Sequence, residues 1–225
     1  MRKIILVLIL SIYCIVAMAQ NNSITGNYFN ESDYCLQIKK DSFKLVVQHT
    51  SPLMRSSEIW AEGVLKRINK DFIELNTINI PWEKVQKTIE VIQKRESYIN
   101  DIEIKFTIPY NRTDLEITIY DEDFNSYMYI YSKNNNKIKI PKTESISFYI
   151  VPVNLLPHTP QGNFYGIIGF DSMIEYQIKE GMNNIEFIIP AIDDSFFERY
   201  NIVGDYARIL NDSIIWKGDI YIKRE

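Results

Sequence analysis

Hydrophobic and polar residues alternate with a period of two along much of this chain. In the segment 101–108, three isoleucines and one phenylalanine at the even positions alternate with polar residues at the odd positions. Successive side chains of a β-strand point to opposite faces, so this alternation predicts a strand with one buried face. The same pattern recurs in four further groups: Leu115/Ile117/Ile119, Ile146/Phe148/Ile150, Ile174/Tyr176/Ile178 and Ile185/Phe187/Ile189.

Turn-forming residues separate these segments. They cluster at 111–114, 134–136, 180–181 and 211–212. Short strands at regular spacing with such turns are typical of antiparallel sandwiches and barrels. Helix is expected only in two short segments, Trp82–Gln86 and Phe196–Tyr200, the second with Asp194 or Ser195 as its cap. The sequence therefore predicts an all-β protein in which a small antiparallel barrel or meander is followed by an antiparallel β-sandwich.

A domain boundary is predicted between Thr77 and Tyr98. The segment before it carries a regular series of strand motifs: Gly26-x-Tyr28, Leu36-x-Ile38, Asp41-x-Phe43-x-Leu45, Glu62-Gly63-x-Leu65 and Asp71-x-Ile73-x-Leu75. Over residues 20–76 this series resembles the opening meander of lipocalin-like small β-barrel modules of bacterial secreted proteins. The resemblance implies a barrel that holds a small ligand or a partner. We expect a barrel-like module at 20–86, which the C-terminal hairpin at 204–225 could complete, and a sandwich at 98–225.

The first nineteen residues follow a different pattern. Two basic residues, Arg2 and Lys3, precede a largely apolar run at 4–16, and the small-x-small triplet 17–19 precedes polar residues. The apolar run is shorter than the ~20 residues that a membrane-spanning helix needs, and the whole arrangement is typical of a secretory signal peptide. We expect residues 1–19 to be removed, the mature chain to have no transmembrane anchor, and the protein to be secreted or periplasmic.

Composition narrows the range of partners. The full chain has 25 basic and 29 acidic residues and a formal net charge of −4 at pH 7. Nucleic acid is not an expected partner, because the chain has no excess of positive charge to displace phosphate counterions. Of the two cysteines, Cys14 lies in the predicted signal peptide, which leaves Cys35 without a partner for an internal disulfide in the predicted mature chain. We therefore expect either that the fold is held by its core alone or that Cys35 is a buried, inert thiol.

No catalytic or metal-binding motif is evident. Neither His49 nor His158 has cysteine or carboxylate residues at metal-ligand spacing, so no metal site and no cofactor are predicted. His158, between two prolines in the sequence, is interpreted as a loop residue. Ser172 lacks the G-x-S-x-G turn of a nucleophile elbow. The segment Asp121–Asn125 has the spacing of the start of a calcium loop, but Ser126 stands where the loop requires glycine, which favours a solvated hairpin tip.

The most specific prediction concerns a hairpin rich in tyrosine. If its loop is 121–126, Tyr120 pairs with Tyr127, and the core face consists of Leu115, Ile117, Ile119, Met128 and Ile130. The opposite face then carries the four candidate ligand or partner residues, Tyr120, Tyr127, Tyr129 and Tyr131. Tyrosine rings can stack on a sugar or on an apolar partner surface while their hydroxyl groups form hydrogen bonds. The alternative is that these rings pack against a neighbouring sheet.

These patterns predict an exported bacterial β-protein that acts as a non-catalytic binding or envelope-interaction module. Its partner would be a protein, a glycan or a small ligand. The alternative is a secreted hydrolase with paired carboxylates. Two buried acids about 5 to 9 Å apart in a cleft would favour the hydrolase, whereas a tyrosine-lined face without such acids would favour binding.

Overall fold

The structure is a computed structural model that describes residues 24–50, 55–78, 81–96, 101–155, 157–158 and 163–224, and the predicted signal peptide lies outside this part of the chain. The described residues form seventeen strands and one α-helix, which confirms the all-β prediction. No helix among them is long and apolar enough to cross a membrane. The elements are β1 Gly26–Phe29, β2 Cys35–Lys39, β3 Ser42–Thr50, β4 Arg55–Arg67, β5 Phe72–Thr77, α1 Pro81–Thr88, β6 Glu90–Lys94, β7 Ile102–Thr107, β8 Leu115–Asp121, β9 Ser126–Tyr131, β10 Lys137–Ile140, β11 Ser145–Pro152, β12 Phe170–Asp171, β13 Tyr176–Gln177, β14 Asn184–Ile188, β15 Asp205–Ile209, β16 Ser213–Trp216 and β17 Asp219–Arg224.

Eight strands form a closed antiparallel barrel in the order β1-β17-β16-β15-β5-β4-β3-β2. Five of them come from the N-terminal segment and three from the C-terminal end of the chain. Phe29 of β1 pairs with Ile222 of β17, and Glu74 of β5 pairs with Tyr206 of β15. Five strands alone would leave two open sheet edges, whereas an eight-stranded barrel has none. The C-terminal hairpin therefore closes the barrel, and the second domain is an insertion between β5 and β15.

Side chains that point into the barrel form one hydrophobic cluster. Within it the rings of Phe43 and Trp216 meet edge to face, with their centroids 6.2 Å apart. Gly63 lies where β4 passes close to β5, and a Cβ atom there would overlap the carbonyl oxygen of Asn76. The thiol of Cys35 is buried, and burial raises its pKa, as expected for an inert cysteine.

The inserted domain has two sheets, with the orders β10-β7-β14-β6 and β12-β11-β8-β9, and β13 also pairs with β11. Phe106 and Phe187 from the first sheet contact Phe148 from the second, with ring centroids 5.2 and 5.0 Å apart. One pairing differs from the expected antiparallel arrangement, because β14 runs parallel to β7. The long connection that contains the second sheet returns the chain in the same direction, as a parallel pair requires.

The inserted domain also differs from the predicted range 98–225 at both ends. Strand β6 lies before residue 98 and pairs with β14, while β15 to β17 belong to the barrel. Helix α1, which contains the expected helical segment Trp82–Gln86, packs on the sandwich core through the fully buried Val85.

The second expected helix, Phe196–Tyr200, is instead a series of tight turns. The amide of Phe196 donates to the carbonyl of Asp193, and the amide of Glu198 donates to the carbonyl of Ser195, three residues back in each case. The Asp193 carboxylate accepts from the amide of Ser195 and holds the first turn. The cap is therefore Asp193 rather than Asp194 or Ser195, and no α-helical hydrogen bond follows it among the described residues.

Candidate functional site

The register of the tyrosine hairpin differs by one residue from the predicted register, which is therefore wrong. Strand β8 pairs with β9 as Ile119↔Tyr127, Ile117↔Tyr129 and Leu115↔Tyr131. Three of the tyrosines consequently share a face with the core residues of β8. The two residues predicted to lie in the core point outward instead, and 62% of Met128 and 42% of Ile130 is exposed.

The loop explains this register. The amide of Phe124 donates to the carbonyl of Asp121 at 3.0 Å, and Phe124 has a φ angle of 61°. This is a three-residue hairpin loop with its last residue in the left-handed conformation. The Asp121 carboxylate accepts hydrogen bonds from the amides of Asp123 and Asn125 and from the Tyr127 hydroxyl. An odd number of loop residues shifts the pairing by one relative to the predicted even-numbered loop.

The four candidate tyrosines do not form one exposed face. Tyr120 is half-buried and lies on the face opposite the other three. The hydroxyl of Tyr131 is buried, donates to the carbonyl of Ile108 at 3.0 Å and accepts from its amide at 3.1 Å. The buried hydroxyl of Tyr129 has no hydrogen-bond partner among the described residues, and burial raises its pKa. Tyr129 and Tyr131 therefore fit the alternative interpretation, in which the rings pack inside the protein and do not form a ligand-binding face.

A different set of polar residues meets between the two domains. His158 is 3% exposed, so it is not the surface loop residue that the sequence suggested. Its Nε2 atom lies 2.5 Å from Oε2 of Glu198, and its Nδ1 atom accepts a hydrogen bond from the amide of Tyr165 at 3.2 Å. Because the backbone donor occupies Nδ1, a neutral His158 carries its proton on Nε2 and donates it to Glu198. Both ring nitrogens are therefore engaged within the protein.

Aromatic rings surround the histidine. The ring of His158 lies 4.5 Å from that of Trp60 in the barrel, 5.1 Å from Tyr200 and 4.6 Å from Phe164, measured between centroids. These rings exclude water from the histidine and carboxylate pair. A low local dielectric strengthens that pair and makes the loss of either partner costly.

Arg112 extends this pair into a network between the domains. Its Nη2 atom lies 2.8 Å from both carboxylate oxygens of Glu58, and its Nη1 atom lies 3.7 Å from Oε1 of Glu198. Arg112 comes from the inserted domain and Glu58 from barrel strand β4. We call Glu58, Arg112, His158 and Glu198 the interdomain charge cluster. It joins the two domains through charge-assisted hydrogen bonds, the strongest kind available to side chains.

A second contact holds the domains at the end of the barrel. The hydroxyl of Tyr165 donates to the carbonyl of Lys217, in the β16–β17 turn, at 2.7 Å. The Lys217 ammonium lies 4.8 Å from the centre of the Tyr165 ring and 2.8 Å from the Asp205 carboxylate. Next to Tyr165, a Cβ atom at Gly166 would overlap the carbonyl oxygen of Phe197. Glycine is therefore required for this close approach of the backbones.

A cleft of about 880 Å³ opens beside the interdomain charge cluster. Residues 57–62 of β4, together with Thr77 and Ile78, form its barrel side, while α1 and the segment 195–200 form the other side. The buried rings of Trp60 and Tyr200 line both the cleft and the histidine. Pockets of about 300–1,000 Å³ with aromatic walls and a few polar groups are typical of small-ligand sites.

Most charged groups of the cleft have partners of opposite charge. Glu58 is bound by Arg112, Glu62 lies 3.0 Å from Lys44, and Arg199 lies 3.0 Å from Asp193. On α1, Glu83 and Lys87 are 3.4 Å apart. Lys84, the remaining cation of the lining, has no ion-pair partner among the described residues. The described residues also hold no group of three His, Cys, Asp or Glu side chains that could bind a metal ion.

Sequence reasoning missed this site. Its members come from segments separated by 40 to 54 residues in the chain, and none of them is part of a motif. One local signal was present: Glu198 directly follows Phe196 and Phe197, both fully buried. A carboxylate next to two core phenylalanines must be partly buried and therefore needs a partner.

Comparison with known proteins gave no match to a family model, to a curated protein or to a solved structure. The resemblance of residues 20–76 to lipocalin-like modules therefore stays a prediction. The structure itself shows a closed eight-stranded barrel that includes strands β1 to β5.

Proposed function

We propose that this chain is an exported bacterial β-protein that acts as a non-catalytic binding module, and that a small ligand binds in the cleft between its barrel and its inserted domain. The observation that carries this proposal is the cleft itself. Its volume of about 880 Å³ suits a small ligand, and its walls combine aromatic rings, aliphatic side chains and charged groups. Export follows from the predicted signal peptide at 1–19.

The contacts between the domains support a cleft that exists before any ligand binds. Arg112 ties β4 to the inserted domain on one side, and Tyr165 ties it to the β16–β17 turn. The barrel contributes its side of the cleft from a long, closed sheet, and α1 is anchored in the sandwich core. A preformed site loses little conformational entropy when a ligand binds, so the affinity is not reduced by ordering.

The alternative, a secreted hydrolase with paired carboxylates, receives less support. Arg112 does bring Glu58 and Glu198 together, but it contacts both oxygens of Glu58. Glu198 faces Arg112 and His158 and is 4% exposed. A general acid or base must reach the reacting atom within hydrogen-bond distance. With both nitrogens of His158 engaged as well, the cluster is better explained as a connection between domains than as catalytic machinery.

Binding of N-phenylnaphthylamine, an uncharged dye that fluoresces in apolar sites, tests the proposal. In the wild-type protein we expect saturable binding of one dye per chain. Ser57→Phe places a ring in the cleft from an exposed position on β4 and should weaken binding about tenfold or more, because the dye and the ring compete for the same space.

Ser126→Phe is the matched control, since Ser126 is exposed on the edge strand β9 and does not line the cleft. This variant should bind the dye like the wild type. Equal dye binding by Ser57→Phe and Ser126→Phe would contradict the assignment of the ligand site to the cleft.

A further inference from the structure

We infer that the ligand of this cleft is an anion with an apolar body, and that Lys84 binds its charged group. This inference rests on the function proposed above and specifies the chemistry of the ligand. It follows from two features of the lining: a single cation without an ion-pair partner in the described part of the chain, and two exposed aliphatic side chains on the barrel side.

The charge of the cleft favours an anion. The three carboxylates of its lining, Glu58, Glu62 and Glu83, each have a cation within 3.4 Å. Arg199 is likewise neutralised by Asp193, outside the lining. Lys84 is the exception, because its ammonium has no carboxylate within ion-pair distance among the described residues. Lys84 is therefore the lining cation at which an anionic group meets no competing carboxylate among the described residues.

Helix geometry places that charge on the side of α1 that faces the barrel. Pro81, Lys84 and Thr88 are spaced three and four residues apart and all line the cleft. Residues at this spacing lie on one face of an α-helix. On the adjoining face Val85 is buried in the sandwich core, and the Gln86 amide donates to the Tyr176 hydroxyl at 3.1 Å. The helix that carries Lys84 is therefore fixed.

The barrel side of the cleft supplies apolar surface. Ile59 is 43% exposed and Ile78 is 58% exposed, and both line the cleft together with the buried rings of Trp60 and Tyr200. A ligand that covered these side chains would remove apolar area from water, at roughly 25 cal/mol per Å². A wholly polar anion would leave this surface exposed, and an uncharged apolar molecule would leave Lys84 without a partner. An anion with an apolar body would cover the exposed isoleucines and also pair with Lys84.

Two dyes that differ by one charged group test the inference on the full chain. Anilinonaphthalene sulfonate has the ring system of N-phenylnaphthylamine plus a sulfonate. We expect the wild type to bind the sulfonated dye about 1.5- to fivefold more tightly at low salt, the range given by one solvent-exposed ion pair. Lys84→Gln should abolish this preference and leave the affinity for the uncharged dye unchanged. Added salt should reduce the preference in the wild type.

Lys133→Gln is the control, because Lys133 is exposed in the turn after β9, lies outside the cleft and has no ion-pair partner among the described residues. Glutamine is a good helix former, so Lys84→Gln should keep its thermal stability. If Lys84→Gln keeps the preference for the sulfonate, the inference is wrong, although the proposed function stands as long as Ser57→Phe weakens binding of the uncharged dye. If Ser57→Phe affects neither dye, both the inference and the proposed function fail.

Discussion

Replacement of Arg112 tests the physical basis of the connection between the two domains. Arg112→Met keeps most of the side-chain length and removes the charge, so Glu58 and Glu198 lose the cation that they share. Glu198 is then a buried carboxylate whose described polar partner is the His158 side chain. We expect the free energy of unfolding to fall, because an uncompensated carboxylate in a water-excluded place is costly.

The magnitude follows from the exposure of the side chains. Removal of one partner from a fully buried ion pair costs about 3–5 kcal/mol, and removal of one from an exposed pair costs about 0.2–1 kcal/mol. The side chains of Arg112 and Glu58 are 22% and 25% exposed and that of Glu198 is 5% exposed. We therefore expect a loss of about 2–3 kcal/mol, intermediate between the two cases. For a chain of this size that corresponds to a fall in Tm of roughly 5–10 °C.

Urea-induced unfolding, followed by tryptophan fluorescence, measures this loss. Adding Glu58→Gln to Arg112→Met should restore part of the stability, because it removes one of the two carboxylates that Arg112 contacts. Arg224→Met is the control, since the ion pair between Arg224 and Asp33 is exposed on both sides and should contribute less than about 1 kcal/mol. A loss for Arg112→Met no larger than the loss for Arg224→Met would show that the partly buried ion pairs of Arg112 do not stabilise the fold more than an exposed pair does.

Three further predictions concern the two cores. Tyr129→Phe should raise the free energy of unfolding by about 1 kcal/mol in urea titrations, since it removes a buried hydroxyl without a described partner; a decrease would show that the hydroxyl has one. Burial raises the pKa of Tyr129, Tyr200 and Tyr221 above the value of about 10 that tyrosine has in an unfolded chain. The burial of these neutral rings stabilises the fold fully below pH about 10, and this stabilisation is lost as the pH rises above that value. Thermal unfolding measured over an alkaline pH series should therefore show a falling Tm. A constant Tm would contradict the burial of these rings. Gly63→Ala should destabilise the barrel by about 1–3 kcal/mol because its Cβ atom would overlap the carbonyl of Asn76, and unchanged thermal unfolding would show that β4 and β5 are not so close.

The strands of the inserted domain could be predicted because their two faces differ in polarity. Ile117 and Ile119 of β8 are fully buried, and Thr118 between them is half-buried, as alternation implies. Strand β9 lacks this contrast, since Met128 and Ile130 alternate with tyrosines and both faces are apolar. The pattern therefore could not select a register, and the loop determined it through a left-handed residue that sequence alone does not reveal.

The closure of the barrel and the site between the domains depend on contacts that are distant in sequence. Phe29 pairs with Ile222 although the whole inserted domain lies between them in the sequence. The partners of His158 are likewise separated from it in the chain, so its sequence neighbours suggested only a loop. Local patterns identify strands, but they do not determine which distant strands pair or which charged residues meet.

Isoleucine methyl NMR in the presence of N-phenylnaphthylamine can locate the ligand site on the protein. Ile59 and Ile78 lie in the cleft, whereas Ile130 lies on the outer face of β9, and all three side chains are at least 42% exposed. We predict dye-dependent shifts of the Ile59 and Ile78 methyl signals and an unchanged Ile130 signal. Shifts at Ile130 with unchanged signals from Ile59 and Ile78 would contradict this prediction.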